Sequence, residues 1–142
     1  MGVVEGITLV LDAAGATRTV DAVEAGAGRG LEGDYHSDLT LIAAESLEGL
    51  HEDTGIELSG ADSRRNVLTR GIDLNALVGQ TFTVGTVEAV GVELAEPCTK
   101  LQRLTESGVL RGLVHRGGLR ADVVSSGRIG VGDAVQALDA GR

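Results

Sequence analysis

The apolar residues of this chain come in short β-rich runs, and a turn signal closes each run within about ten residues. Val3–Leu11 is built from Val, Ile and Leu and stops at Asp12, so it predicts a strand. Ala13–Thr17 reads as a turn, and Arg18–Ala22 alternates as the second arm of a hairpin. Asp38–Ile42 reads as a short strand. Gln80–Val84 and Thr86–Leu94 flank Gly85 with Thr, Phe and Val throughout, which predicts a second hairpin or two barrel strands. The run after Gly117-Gly118 becomes a strand, and Ala134–Leu138 is the last. Glu24–Arg29 is Gly- and Ala-rich and is expected to be loop, as is Ser59–Ser63, while Ser125–Arg128 and Ile129–Asp133 are expected to be tight turns. Three stretches carry a helical pattern, one of them the short run from Pro97 in which Leu101 and Leu104 lie three apart. Ala43–Asp53 places Ala43, Leu47 and Leu50 on one face with Gly55 at its end, and Leu74–Leu77 makes a short turn closed by Gly79. Strands punctuated this closely predict a mainly β fold, a small closed β-barrel with one or two short helical inserts.

Composition narrows what fills such a barrel. One Phe, one Tyr and no Trp leave Val, Leu, Ile and Ala to build the core, and 22 glycines supply turns and close backbone approaches. Neither a repeat nor an interdomain linker is visible, so residues 1–142 are expected to form a single domain. One cysteine excludes a disulfide scaffold and fits a reducing compartment. The longest uncharged run, Leu74–Val87, is too short and too polar to span a bilayer. The N-terminus has no basic leader, and Gly6 stands where a myristoylation signal wants Ser or Thr. These features predict a cytoplasmic protein without membrane partners.

The net charge of −9 is uneven. Residues 1–62 hold 13 acidic and 2 basic residues, and residues 63–142 hold 8 acidic and 10 basic. Such a chain lacks the clustered cations and stacking aromatics that nucleic-acid binding needs. Its basic residues sit in the half that carries the cysteine, which suits a small anionic ligand.

Three stretches carry candidate chemistry. Cys98 follows Pro97, a residue suited to the first turn of a helix, and precedes Lys100 and Arg103. A helix start and neighbouring cations favour a thiolate, while the alternative is a buried structural cysteine. Arg64-Arg65-Asn66-Val67-Leu68-Thr69-Arg70 groups guanidinium and amide donors on a strand-like core. Strand alternation puts Arg64 and Asn66 on one face, where they suit a phosphate or carboxylate, and the alternative is an edge strand blunted by charge. Gly30-Leu31-Glu32-Gly33-Asp34-Tyr35-His36 is a glycine-bracketed turn, and Asp34 is expected to bond its own backbone. His36, His51 and His115 are scattered and show no zinc-ligand spacing.

Taken in order, these stretches resemble a known family. Gly30-Leu31-Glu32-Gly33-Asp34 with His36, Arg65-Asn66 with Thr69 and Gly71, Leu77 with Gly79 and Phe82, Glu96-Pro97-Cys98, Gly117-Gly118-Leu119-Arg120 and Gly130 with Gly132-Asp133 are similar to the pattern of the MOSC domain. That domain is named for the C-terminal part of molybdenum cofactor sulfurases, and the resemblance runs over about residues 3–138. It implies a barrel-like β fold of the standalone bacterial type and a functional role for Cys98. That cysteine would either carry sulfur as a persulfide, received from a pyridoxal-phosphate-dependent cysteine desulfurase, or ligate molybdenum in the pterin cofactor. In the second case Arg65-Asn66, with Arg64 and Thr69, would lie beside the cofactor.

If Cys98 and the Arg65-Asn66 segment share a site, one cleft is expected, locally positive because the acidic excess lies in residues 1–62. Its lining would be Cys98, Arg64 or Arg65, Asn66, Lys100, Gly117, Gly118 and Arg120, with His36 at the rim. Tyr35 departs from the Arg that family members often place between the Asp and the His, which weakens an anion role for Gly33–His36. No desulfurase or reductase domain accompanies the pattern, so such a partner is expected from another chain. Two function classes stay open: a molybdenum-cofactor-binding or sulfur-carrier module, and a molybdenum-dependent reductase of N-hydroxylated compounds served by a separate electron donor.

Overall fold

A computed structural model describes residues 1–95 and 117–138. It contains eleven strands among those residues: β1 (Gly2–Val10), β2 (Thr17–Val20), β3 (Ala22–Gly26), β4 (Gly30–Leu31), β5 (Leu39–Ala43), β6 (Val67–Arg70), β7 (Thr81–Val84), β8 (Val87–Leu94), β9 (Leu119–Ser125), β10 (Gly127–Gly130) and β11 (Ala134–Ala137). One helix, α1 (Ala44–Thr54), and a 3-10 turn (Leu74–Leu77) interrupt them.

The main sheet runs β11-β7-β8-β9-β5-β6-β1-β2, and a further pairing of β11 with β1 closes seven of these strands into a barrel. The length of β1 makes closure feasible. One edge of β1 pairs with β6, while the other pairs with β11 through Gly2 and Val3 and with β2 through Ile7–Val10. β5 and β6 are parallel, and parallel neighbours need a crossover, which α1 supplies. β3 holds β10 and β4 in a small second sheet.

Strand alternation fills the barrel. Phe82 and Val84 of β7, Val87 and Ala89 of β8, and Leu119 and Ala121 of β9 all point inward and are fully buried. A second cluster, Ile42, Leu47, Leu50 and Leu58, seats α1 on the outside of the barrel. The helix ends where Gly55 takes a φ of 77° and its N–H donates to the carbonyl of His51. Ala44, Leu47 and Leu50 form its buried face, and Ala43 is its N-cap instead of a member of that face.

Two expectations are corrected here. Glu24–Arg29 is not loop throughout, because β3 runs to Gly26 with Val23 and Ala25 turned into the core. The Gly- and Ala-rich stretch becomes strand through its pairing with β10, from Ala22↔Gly130 to Ala25↔Gly127. For the same reason Gly127–Gly130 is strand instead of turn, and it buries Ile129 completely. The turn there is confined to Gly130–Asp133, where the Asp133 carboxylate accepts the Gly130 N–H. Among the described residues, no helix is long and apolar enough to cross a membrane.

Candidate functional site

The site residues cluster where β6 enters the barrel between β5 and β1, and the loop before it sets their directions. Ser59 and Asp62 cap each other reciprocally: the Ser59 N–H donates to Asp62 Oδ2 and the Asp62 N–H to Ser59 Oγ. Ser63 is fully buried, donates to the Gly60 carbonyl and accepts the Arg65 N–H. Arg64 then takes a φ of 61°, the only positive φ among the described non-glycine residues. That backbone reversal removes Arg64 from the strand, because β6 begins only at Val67. Its guanidinium folds back onto the loop, donating from Nη1 to the carbonyl of Asp62 at 2.9 Å and to that of Ala61 at 3.5 Å. Arg64 and Asn66 therefore do not share a strand face, contrary to the alternation read from the sequence.

Asn66 is buried and every polar group it owns is used inside the protein. Its Nδ2 donates to the Thr8 carbonyl at 3.0 Å and to Asp34 Oδ1 at 2.9 Å. Its Oδ1 accepts the N–H of Thr40 at 3.1 Å and the Thr40 hydroxyl at 3.2 Å. Its backbone N–H donates to Thr40 Oγ1, and its carbonyl accepts the Thr8 N–H. A side chain that donates twice and accepts twice over so short a reach is an amide, which explains Asn at this position. Thr69 is likewise buried in the barrel wall, with its hydroxyl donating to the Ile42 carbonyl at 3.4 Å.

Asp34 completes this network. Its side chain is fully buried, with Oδ1 accepting the Val10 N–H at 2.7 Å and Oδ2 accepting the His36 N–H at 3.0 Å. The second bond is the local turn expected from the sequence. The first, with the Tyr35 N–H donating to the Val10 carbonyl, clips the turn to the end of β1. The His36 ring stays exposed, with Nδ1 3.7 Å from Asp34 Oδ2 and in a T-shaped contact with Tyr35. Neither Asp34 nor Thr40 was singled out as a partner of Asn66 in the sequence. Their separations from it, 32 and 26 residues, leave no local signal.

Arg65 is the residue that joins the candidate segments. Its Nε donates to the carbonyl of Gly117 at 2.8 Å and its Nη2 to the carbonyl of Ala95 at 2.9 Å. Ala95 stands three positions before Cys98 in the sequence, and the Ala95 N–H donates to the Gly118 carbonyl. The Arg65-Asn66 segment and the Gly117-Gly118 segment thus meet. Cys98 and Lys100, with Arg103 and Arg116, lie outside the described residues.

Gly118 has a packing role. Its φ is 115°, and a Cβ there would overlap the Leu41 carbonyl oxygen of β5. Arg120 lies across β9 from two carboxylates, with Nε donating to Glu93 at 2.9 Å and Nη1 3.7 Å from Asp38. The bond it donates to Glu93 holds its guanidinium above the ordinary range, with Asp38 and Asp122 adding attraction. A cleft of about 400 Å³ reaches Gly118 near the start of α1. Its described lining includes Glu45 and Asp73 and neither Lys nor Arg, so this cleft does not have the positive lining expected of the site.

As a test of fit to an anionic pterin cofactor, the described candidates give a clear result. Arg64, Asn66, Thr69 and Arg120 direct polar groups at protein partners, and Arg65 uses two of its nitrogens on backbone carbonyls. These bonds make them part of the frame of the barrel, while the Arg64 Nε is buried without a hydrogen-bond partner among the described residues.

Comparison with known proteins places this architecture. The model of the MOSC domain matches residues 28–136. No curated protein matches the sequence. The fold is similar to that of the YuaD protein from Bacillus subtilis, with a TM-score of 0.84 and 15% identity over 96% of each chain. It is also similar to YiiM from Geobacillus stearothermophilus, with a TM-score of 0.76 and 14% identity over 98% of this chain and 76% of that one. YiiM from Escherichia coli gives 0.73 and 17% identity over 96% and 70%.

Proposed function

The chain belongs to the MOSC domain family, which is associated with the molybdenum cofactor, and from that membership we propose that it is a cofactor-handling module with Cys98 as its reacting group. In this reading Cys98 either ligates molybdenum or holds transferable sulfur, and the protein works with a partner chain that supplies sulfur or electrons. The observation that carries the reading is the Arg65 bridge. It draws the Arg65-Asn66 motif and the Gly117-Gly118 motif to the residue three positions from Cys98.

The described residues support this role as scaffold. Asn66 and Asp34 fix the entry of β6, and Arg65, just before that entry, bonds the backbone beyond the end of β8 and before the start of β9. When bound, the cofactor would supply the redox or sulfur chemistry, and the chain's contribution would be to hold and orient it at the thiol.

The test is the composition of protein purified from a cofactor-producing host. The expected result is either molybdenum near one equivalent, lost in Cys98→Ala, or reductant-labile sulfur on Cys98 after incubation with a cysteine desulfurase and cysteine. Molybdenum selects the ligand role and opens assay of N-hydroxylated substrates with an electron donor. Labile sulfur selects the carrier role. Neither in the unsubstituted protein overturns the proposal.

A further inference from the structure

β8 and β9 form one antiparallel ladder whose last pair is Leu94↔Leu119. Beyond it the Ala95 N–H still donates to the Gly118 carbonyl at 2.8 Å. At that point two backbone carbonyls, Ala95 and Gly117, one from each arm, turn toward the same guanidinium. Carbonyls converging in this way repel unless hydrogen-bond donors lie between them. A planar guanidinium, with donors fixed in a fork, can reach both. Both bonds are short and both span long stretches of sequence, 52 residues to Gly117 and 30 to Ala95.

We propose that Arg65 is a positioning residue, a staple that joins the backbone just after β8 to the backbone just before β9 and so fixes the two points between which residues 96–116 are strung. The inference goes beyond the functional reading above and does not depend on it, because the staple holds whether or not Cys98 handles a cofactor. Its logic continues into the loop before it. The Ser59–Asp62 caps, the Ser63 bond to the Arg65 N–H and the saturated Asn66 side chain fix the backbone on both sides of Arg65, so the staple is held at its own base. Lysine carries the charge but only a point-like ammonium, so it can satisfy one carbonyl well and not both.

The experiment is limited trypsin digestion of the whole protein in phosphate-free buffer, with fragments read by mass spectrometry. Lys100, Arg103 and Arg111 report on the stapled segment, and Arg18 of β2 and Arg128 of β10 report on strands away from it. Losing two charge-assisted bonds should raise local opening, so cleavage at the segment sites should be about tenfold faster or more in Arg65→Ala. Cleavage at Arg18 and Arg128 should change by less than about twofold, because those strands keep their own ladders. Arg65→Lys should fall between the two proteins at the segment sites, and the alkylation rate of Cys98 by iodoacetamide should follow the same order. Unchanged segment cleavage in Arg65→Ala overturns the proposal, as does acceleration equal at all sites. If Arg65→Ala does not fold, Arg65→Lys decides alone: faster cleavage confined to the segment sites supports the staple, and the cleavage pattern of the unsubstituted protein refutes it.

Discussion

Asn66 Nδ2 donates to Asp34 Oδ1 at 2.9 Å across 32 residues of sequence, and both side chains are withdrawn from solvent. The bond ties the turn after β4 to the entry of β6, and the same carboxylate oxygen holds the Val10 N–H at the end of β1. Asp34→Ala would leave these two donors without their acceptor. At roughly 1–3 kcal/mol for each of the two donors left without an acceptor, the loss should be about 2–6 kcal/mol. Asn66→Ala should cost a similar amount, since it removes partners from Thr8, Asp34 and Thr40 together. Urea unfolding of both variants checks this. Midpoints within error of the parent protein would show that the network contributes no stability.

That relationship also marks where reading the sequence stopped. The barrel was legible because Val67, Phe82, Val84 and Leu119 alternate with polar neighbours, and because glycines and Asp residues mark the reversals between strands. The helix was legible because Leu47 and Leu50 keep a helical spacing. β3 and β10 were not, since Ala22–Gly26 and Gly127–Gly130 have little intrinsic strand preference and are made strands by each other. The turn around Asp34 was legible as a local bond to the His36 N–H, and its second bond to Asn66 was not. The Arg-Asn motif stood out by composition, yet composition cannot show that Arg65 would find two backbone carbonyls or that Arg64 would leave the strand with a φ of 61°.

Acid should weaken a second tie, the one between α1 and the barrel. Arg70 of β6 donates from Nη2 to Glu48 Oε2 at 2.6 Å, from Nη1 to Glu48 Oε1 at 3.2 Å, and from Nε to Glu5 at 2.6 Å. The hydrogen bond from Arg70, reinforced by its charge, holds the Glu48 carboxyl below its ordinary value of 4.5. The folded state therefore binds fewer protons than the unfolded chain at this group in mildly acidic solution. Its contribution to stability is complete above the unfolded pKa and is lost as pH falls through the folded one. The stability difference between the parent and Glu48→Gln should be constant from neutral pH down to about 5 and shrink below about 4.5. Both groups are solvent-exposed, so the difference should be small and should fall further with added salt. Denaturant titrations across that range test it, and a difference that grew on acidification would contradict the pairing.

Gly118 and Gly79 offer a paired test of the barrel's tightest approach. Both have positive φ, 115° and 76°, so alanine is strained at either position. At Gly79 a Cβ meets nothing within 4 Å, and the cost of Gly79→Ala should be the backbone term alone, about 1–2 kcal/mol. At Gly118 a Cβ would overlap the Leu41 carbonyl oxygen, so β9 must move away from β5. That movement disturbs the Leu41↔Leu119 pair, the Ala95 N–H bond to Gly118 and the neighbouring Gly117 carbonyl that Arg65 holds. Overpacking together with backbone strain should bring the cost of Gly118→Ala to about 3 kcal/mol or more. Gly118→Ala should also speed tryptic cleavage at Lys100 and Arg103, because it moves one of the two arms that the staple joins. Equal unfolding midpoints for Gly118→Ala and Gly79→Ala would mean that the strands do not approach as closely as the structure has them. A lower midpoint for Gly118→Ala with unchanged cleavage at Lys100 and Arg103 would separate the close packing of β5 and β9 from the hold on residues 96–116.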